Sequence, residues 1–356
     1  PLMQAMRDAA AGLDTAGFIS GYRGSPLGGL DQALWKAKKH LKSHRIEFTS
    51  GLNEDLAATM VWGSQQVNLF PGAKHQGVFA MWYGKGPGVD RSGDVFKHGN
   101  AAGTSQHGGV LVLAGDDHAC RSSTLPHGSE QEFVSAMMPV LNPAGVQDIL
   151  DMGILGWAMS RYTGRWVGFK TIAETVESSA SVIVNPHQLD IRLPTDLVLP
   201  PGGLNIRWPD PPLDQELRLH QYAMHAAQAF ARANQIDKII FDSPRARLGI
   251  VTTGKSYLDV LQALEYLGIS ASDAREIGIR VYKIGMTWPL EPIGIREFAD
   301  GLEDVIVVEE KRSFIESQMK EYMYNWTTRP SVVGKYDEDG NWVLPSTNEL
   351  TPAMIA

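Results

Sequence analysis

The chain has 356 residues, enough for two domains with a substantial core. Its net charge of −8 excludes a global basic surface for nucleic acid or anionic lipid, so small molecules and other proteins are the expected partners. The single cysteine excludes an internal disulfide and a cysteine-held zinc or iron–sulfur site on this chain.

The sequence predicts a cytoplasmic protein with no membrane partner. No apolar run reaches the ~18–20 residues that span a bilayer, and the opening residues lack the basic flank and apolar core of a signal peptide. The chain begins with Pro1 instead of Met and enters a helix-like stretch directly, so we expect it to be part of something longer.

The first half of the chain alternates short apolar runs with helical stretches and glycine-rich joints. This alternation predicts a doubly wound parallel α/β sheet, because parallel strands need helical crossovers and are buried on both faces. We assign residues 1–186 to this domain. The runs lie at residues 17–22, 45–51, 77–84, 109–117, 167–173 and 180–184.

The second half has three predicted parts. Residues 187–243 combine a Pro-rich linker with an Ala- and Leu-rich helix near residues 217–236. Residues 244–328 return to strand–helix alternation on a smaller scale and predict a second α/β domain. Residues 329–356 are a polar tail.

GIVTTGKS, from Gly249 to Ser256, satisfies the phosphate-loop pattern G-x-x-x-x-G-K-[ST]. A working loop needs its strand to end at the first glycine, yet the next four residues include β-branched Ile250 and Val251. We therefore expect the strand to run through the motif, with Ser256 as the N-cap of the following helix. A nucleotide-binding enzyme using this segment is the alternative hypothesis.

Two loops in the first domain predict a ligand site at the carboxyl edge of the sheet. GYRGSPLGGLD, residues 21–31, places Arg23 and Ser25 among glycines directly after a strand. GLNEDLAAT, residues 51–59, offers Asn53 as an N-cap and delivers Glu54 to the same edge. A well-made helix start would explain the second motif equally well.

Two further stretches are rich in polar groups. Residues 84–109 are dense in glycine and carry Lys85 and Arg91, so we expect a long basic loop that suits an anionic ligand. Residues 115–132 contain Gly-Asp-Asp at 115–117. This segment resembles the Gly-Asp-Gly signature that holds magnesium and diphosphate, but the second glycine is absent, and we interpret the resemblance as chance. No metal ligand is assigned on this chain.

Taken together, the motifs resemble the 2-oxoacid:ferredoxin oxidoreductases, and in particular their indolepyruvate branch. GYRGSPLGGLD, SGLNEDLAAT, AKHQGVF, YGKGPGVDRSGD and SSTLPHGSEQ occur in the order of that family's pyrimidine-binding domain. The segment with TTGKSYLDVLQALEYLG and VIVVEEKRSFIESQMK is similar to its transketolase C-terminal-like domain. The resemblance covers nearly the whole chain and implies a thiamine diphosphate enzyme.

The resemblance also implies residue roles. Glu54 matches the catalytic glutamate that hydrogen-bonds the aminopyrimidine N1′ of thiamine diphosphate, and it should be buried against that cofactor. Ser25, assisted by Arg23, matches the group that binds the substrate carboxylate. Gly24, Pro26 and His75 match further positions of the cofactor pocket.

The implied activity is oxidative decarboxylation of an arylpyruvate, with indolepyruvate expected, to an acyl-CoA. Coenzyme A and ferredoxin are the implied co-substrates. Magnesium and [4Fe-4S] clusters are expected on a diphosphate-binding domain or subunit elsewhere, and a dimer of the larger assembly is expected. A non-catalytic assembly subunit is the remaining alternative.

Overall fold

The computed structural model describes all 356 residues. Its twelve strands fall into two sheets. They are β1 (Thr15–Gly21), β2 (Ile46–Phe48), β3 (Gly77–Lys85), β4 (Val110–Asp116), β5 (Val140–Leu141), β6 (Val167–Ile172), β7 (Lys238–Phe241), β8 (Leu248–Thr253), β9 (Ile279–Ile284), β10 (Met286–Trp288), β11 (Asp304–Val308) and β12 (Ser331–Val333).

Sixteen α-helices connect and cover these strands. They are α1 (Leu2–Ala10), α2 (Leu30–Lys36), α3 (Lys38–Ser43), α4 (Glu54–Gln65), α5 (Gly86–Arg91), α6 (Gly93–Ala102), α7 (Glu130–Ser135), α8 (Val146–Thr163), α9 (Ala173–Val176), α10 (Pro212–Arg218), α11 (Met224–Ala233), α12 (Gly254–Tyr266), α13 (Ala271–Ile277), α14 (Pro292–Ala299), α15 (Ile315–Met323) and α16 (Pro352–Ile355). A π-helical turn joins α10 to α11, and residues 177–211 contain no helix or strand.

The first sheet has seven strands in the order β10-β5-β6-β4-β3-β1-β2. Every pair is parallel except β10 with β5. Helices cover both faces: Leu34 and Trp157 pack on one side, Val61 and Phe96 on the other. The predicted doubly wound α/β fold is therefore confirmed.

The second sheet has five strands in the order β12-β11-β8-β9-β7, with only β7 antiparallel to its neighbour. Its apolar side chains form two clusters, one on each face, with Phe298 and Met319 in one and Val260 and Leu264 in the other. The second half of the sequence predicts such a smaller α/β unit at residues 244–328, but β7 precedes that range and β12 lies in the predicted polar tail, because both strands pair with this sheet.

The two sheets are joined by β10. This strand follows β9 of the second sheet after Gly285 and pairs with β5 of the first. The Asn142 amide donates to the Gly285 carbonyl at 2.9 Å. One Asp237 carboxylate oxygen accepts from the amides of Gly285 at 2.7 Å and Met286 at 3.0 Å, so the turn between β9 and β10 is fixed on both sides.

The prediction of a long loop at residues 84–109 was wrong. The segment forms α5 and α6, and Val89 and Phe96 on these helices are fully buried. Its glycines make close packing possible: a methyl group on Gly99 would stand 2.6 Å from the Trp166 ring. Tertiary packing therefore overrides the weak helix propensity of these residues.

Candidate active site

The predicted ligand site lies at the carboxyl edge of the first sheet, between β1 and β3. The chain passes from β1 outward to β2 and then crosses back to β3 on the other side of β1. At such a reversal the loops after the two inner strands diverge and leave a crevice, which is where doubly wound sheets bind ligands. Residues 22–29 and helix α5 follow these strand ends.

Glu54 is held at this edge by the start of α4. Asn53 is extended and its side-chain oxygen accepts from the Leu56 amide at 2.9 Å, which is the predicted N-cap. The Trp82 indole of β3 donates to the Glu54 carbonyl at 2.9 Å. The backbone of Glu54 is thereby fixed, while its side chain remains 18% exposed and accepts no hydrogen bond within the chain.

Helix α5 forms the wall beside the Glu54 carboxylate. A methyl group on Gly88 would lie 2.5 Å from Glu54 Cγ and 3.0 Å from Oε1, so the peptide of α5 touches this side chain. Arg91 Nε donates to Asp55 Oδ1 at 2.6 Å and lies 4.0 Å from Glu54 Oε2. The hydrogen bond from Arg91 lowers the pKa of Asp55. Gly88 and Arg91 therefore position the first turn of α4.

The loop after β1 presents Arg23 and Ser25 to solvent on the same edge. Gly24 passes close to β3, since a methyl group there would lie 3.2 Å from Lys85 Cβ. Pro26 is half-buried against the end of β4, where a methyl group on Gly115 would meet its Cδ at 2.9 Å. The loop is thus anchored at Gly24 and Pro26, and its two polar side chains are free.

His75 lies at the opposite edge of the sheet. It precedes the first residue of β3, and its Nδ1 lies 3.4 Å from the Asp14 carboxylate, just before β1 begins. Glu54 and Ser25 follow the other ends of their strands. The structure therefore does not bring His75 together with the remaining predicted residues.

The GIVTTGKS segment forms strand and helix, as its β-branched residues predict. Strand β8 continues to Thr253 and α12 begins at Gly254. The prediction of Ser256 as N-cap was wrong, because Thr253 holds that position and the Ser256 hydroxyl is buried within the first turn. Lys255 is 14% exposed and donates to Asp259 at 2.6 Å and to the Leu350 carbonyl at 2.7 Å. The charge of the Lys255 ammonium is already balanced by the Asp259 carboxylate, which disfavours a phosphate ligand at this position.

A buried polar network, which sequence reasoning missed, extends from α5 towards the second sheet. His127 Nε2 lies 2.8 Å from Asp90 Oδ2 of α5, and its Nδ1 lies 3.4 Å from Asp116 Oδ1. Asp116 also accepts from the Ser129 amide and hydroxyl. Lys170 stands 4.0 Å from Asp116 and pairs with Glu130.

The charges of this network follow from burial and pairing. Burial opposes the charge of Asp116, but the His127 hydrogen bond and the Lys170 charge hold the pKa of that carboxyl well below its usual range. Burial likewise opposes a charged His127, but its hydrogen bonds to Asp116 and Asp90 raise the pKa of the ring to about 9. Burial and Lys170 keep the pKa of His118 well below its ordinary value. His127 is therefore the cationic histidine and His118 the neutral one.

Residues 238–356, from the first residue of β7 onward, match the indolepyruvate oxidoreductase domain. The predicted resemblance to indolepyruvate oxidoreductases is confirmed. The chain is 27% identical over 270 residues to indolepyruvate oxidoreductase subunit IorA of Pyrococcus abyssi, covering 74% of this chain and 39% of that protein. It is 24% identical over 348 residues to IorA of Methanothermobacter marburgensis, covering 95% and 50%.

Solved structures show the same fold. A 2-oxoglutarate:ferredoxin oxidoreductase from Magnetococcus marinus, solved with 2-oxoglutarate, coenzyme A and succinyl-CoA, superimposes with a TM-score of 0.63 at 16% identity, over 99% of this chain and 63% of that one. A split-gene transketolase, described as an inactive β4 tetramer, gives a TM-score of 0.56 at 12% identity, over 99% and 93%. The chain therefore shares the fold of these two proteins, with a larger parallel α/β sheet followed by a smaller one.

The similarity to IorA extends over about half of each relative, since the chain spans 39% of one protein and 50% of the other. No helix is long and apolar enough to cross a membrane. No group of three or more histidine, cysteine or acidic side chains is arranged to hold a metal ion.

Proposed function

We propose that this chain supplies the pyrimidine half of the cofactor site in a thiamine diphosphate-dependent 2-oxoacid:ferredoxin oxidoreductase. The observation that carries the proposal is the Glu54 carboxylate. It lies at the topological switch point, on a backbone fixed by Asn53 and Trp82, and makes no hydrogen bond of its own within the chain. The similarity to IorA proteins and the shared fold support the same assignment.

The residues present fit thiamine diphosphate at this edge. A partly buried carboxylate that accepts no hydrogen bond within the chain is suited to a hydrogen bond with a ring nitrogen, and we assign Glu54 to N1′ of the aminopyrimidine. When bound, this cofactor supplies the electron sink that 2-oxoacid decarboxylation needs. Glu54 holds the proton at N1′, while Gly24 and Pro26 fix the loop that borders the ring.

Ser25 and Arg23 are proposed to bind the substrate carboxylate. Both side chains are exposed on the loop that follows β1, on the same edge as Glu54. A guanidinium and a hydroxyl together offer several donors to a carboxylate, and the charge-assisted bonds are the stronger ones. Arylpyruvates, indolepyruvate first, are the proposed substrates, with coenzyme A as acyl acceptor and ferredoxin as electron acceptor.

An apolar surface beside Glu54 is proposed to receive the diphosphate-binding domain. Leu52 is 86% exposed, and Leu56 and Met60 continue the surface along α4 at intervals of four residues. Exposed apolar patches of this kind mark interaction sites. The chain matches about half the length of the IorA relatives, so a domain like their unmatched half, with magnesium and [4Fe-4S] clusters, is the proposed occupant. A dimer of the larger assembly and a cytoplasmic location remain parts of this proposal.

The test uses the longest natural form of the protein with indolepyruvate, coenzyme A and a viologen dye as electron acceptor. We expect dye reduction that depends on added thiamine diphosphate and falls ~100-fold or more in Glu54→Gln. Glu47→Gln, an identical change at an exposed position of β2, is the matched control and should leave the rate unchanged. A folded, complete protein that reduces no dye with any arylpyruvate would refute the proposal.

A further inference from the structure

Two faces of helix α5 contact other parts of the chain. Gly86 and Asp90, four residues apart, face His127, since a methyl group on Gly86 would lie 2.1 Å from His127 Nδ1 and Asp90 Oδ2 lies 2.8 Å from Nε2. Gly88 and Arg91, three residues apart, face the first turn of α4. This short helix is therefore a spacer between the His127 ring and the Glu54 carboxylate.

The His127 ring is itself firmly held. Its side chain is 14% exposed and its backbone amide donates to the Asp117 carbonyl at 3.0 Å. On the far side of the ring from Asp90 stands Asp116, whose side chain is fully buried at the end of β4 and accepts from Ser129. The His127 ring thus links the end of β4 to α5, in addition to the direct chain connection from β3 to α5.

We propose that His127 is a positioning residue, which holds the Gly86–Asp90 face of α5 and thereby sets the opposite face of α5 against Glu54. This inference rests on the proposed function, because it concerns how well Glu54 is placed for thiamine diphosphate. His127 acts through α5 and does not touch the cofactor.

The protonated ring makes the contact to both carboxylates, so the placement depends on pH. The pKa of His127 is raised to about 9 by the hydrogen bonds to Asp116 and Asp90, which outweigh burial. A raised pKa means that the stabilisation is complete below the ordinary histidine pKa of about 6.5 and is lost as the pH rises from there through about 9. The charged groups that face this region are Asp90 from α5, Asp116 from β4, Glu130 from α7, Lys170 from β6, and Glu310, Lys311 and Arg312 after β11.

The experiment is a double-mutant cycle in the longest natural form of the protein. His127→Gln and Asp90→Asn each remove one side of the contact, and Asp90 is 60% exposed, so its replacement leaves the core intact. Affinity for thiamine diphosphate is measured by quenching of tryptophan fluorescence. We expect each variant to bind about tenfold more weakly, and the double variant no more weakly than His127→Gln, because both changes break one interaction.

The matched control is His98→Gln with Asp94→Asn. This pair lies on the neighbouring helix α6, with Nδ1 3.5 Å from the carboxylate and both side chains exposed. It should leave affinity unchanged. A second readout is the pH profile: affinity of the unmodified protein should fall as the pH rises through about 9, and His127→Gln should lack this fall.

The outcomes separate the two proposals. If the unmodified protein binds thiamine diphosphate but His127→Gln and Asp90→Asn bind as the control does, the positioning role is wrong and the proposed function stands. If the complete protein does not bind the cofactor at all, both are wrong. Should His127→Gln fail to fold, Asp90→Asn and the pH profile of the unmodified protein decide the question.

Discussion

Glycine at position 88 is what allows the Glu54 carboxylate to lie against α5. Any side chain would begin 2.5 Å from Glu54 Cγ, closer than real carbon atoms approach, and the nearest atoms belong to the residue that the proposed chemistry needs. Steric fit at one backbone position therefore controls the direction of the carboxylate. Such a displacement of a catalytic group affects reactivity more than it affects stability.

Gly88→Ala should accordingly impair activity without unfolding the protein. We expect the thiamine-dependent rate to fall on the order of tenfold to a hundredfold, because a displacement of about 1 Å at a catalytic group has effects of this size. Gly63→Ala on α4 is the control. Nothing lies within 4 Å of its added methyl group, so it should stabilise the protein by ~0.5–1 kcal/mol in urea unfolding and leave the rate unchanged. Equal rates in both variants would contradict the steric account.

The sequence predicts the positions of some site residues better than those of others. Asn53 and Glu54 are adjacent and follow a strand, so a local cap pattern places them correctly. Gly88 and Arg91 meet them only because β3 returns beside β1, a contact that no local pattern encodes. His75 shows the reverse case, since its neighbours in sequence match the family while its place at the other end of β3 separates it from Glu54.

The start of α4 has two roles. Asn53 ends the extended segment after β2 and fixes the helix direction from which Glu54 projects. Asn53→Ala should cost ~1 kcal/mol of unfolding free energy and also weaken thiamine diphosphate binding. Ser270→Ala removes a comparable cap from α13, where its side chain accepts from the Asp273 amide, and should cost a similar free energy without changing affinity. Matching affinities in the two variants would show that the cap does not orient Glu54.

Elements whose pattern is strong were predicted, and elements built by packing were not. The β-branched run of GIVTTGKS predicts strand β8 in spite of the phosphate-loop spelling. Helices α5 and α6 are hidden by glycines that favour a loop when isolated, and they form because Val89 and Phe96 are buried. Burial of a few side chains decides such segments, and a single sequence does not reveal it.

The joint between the two sheets contains a carboxyl group, that of Asp237, whose ionisation opposes folding. Burial raises the pKa of Asp237 to about 7, although the amides of Met286 and Gly285 favour its charged form. The folded chain therefore holds a proton that the unfolded chain releases above pH ~4. The contribution of Asp237 to stability is present below that pH and is lost as the pH rises through about 7.

Asp237→Asn should remove this dependence while keeping an oxygen for both amides. We expect the variant to be more stable than the unmodified protein at pH 8 by ~1 kcal/mol or more, with no gain near pH 4, in urea unfolding. Asp242→Asn is the control of opposite sign. Burial opposes the charge of Asp242, but the hydrogen bond from Arg280 lowers the pKa of this exposed carboxyl, so its stabilisation is lost as the pH falls. A variant at position 237 that loses stability at pH 8 would contradict this account.

The arrangement of the two sheets lay beyond the reach of the sequence. Alternating strands and helices predict two α/β units, but nothing in the short run of β10 indicates that it pairs with β5 of the other sheet. The same is true of the contact between the Lys255 ammonium and the Leu350 carbonyl, which lies 95 residues away, whereas the pair with Asp259 is local. The long-range contact with Leu350 explains why Lys255 of the GIVTTGKS segment has a structural role.

The role proposed for Glu54 is tested by the exchange of the C2 proton of thiamine diphosphate with D2O in the complete protein, followed by NMR. We expect fast exchange in the unmodified protein and in Glu47→Gln, and exchange slowed ~100-fold or more in Glu54→Gln at saturating cofactor. Fast exchange in Glu54→Gln, with the cofactor bound, would contradict the assignment of Glu54 and with it the proposed site.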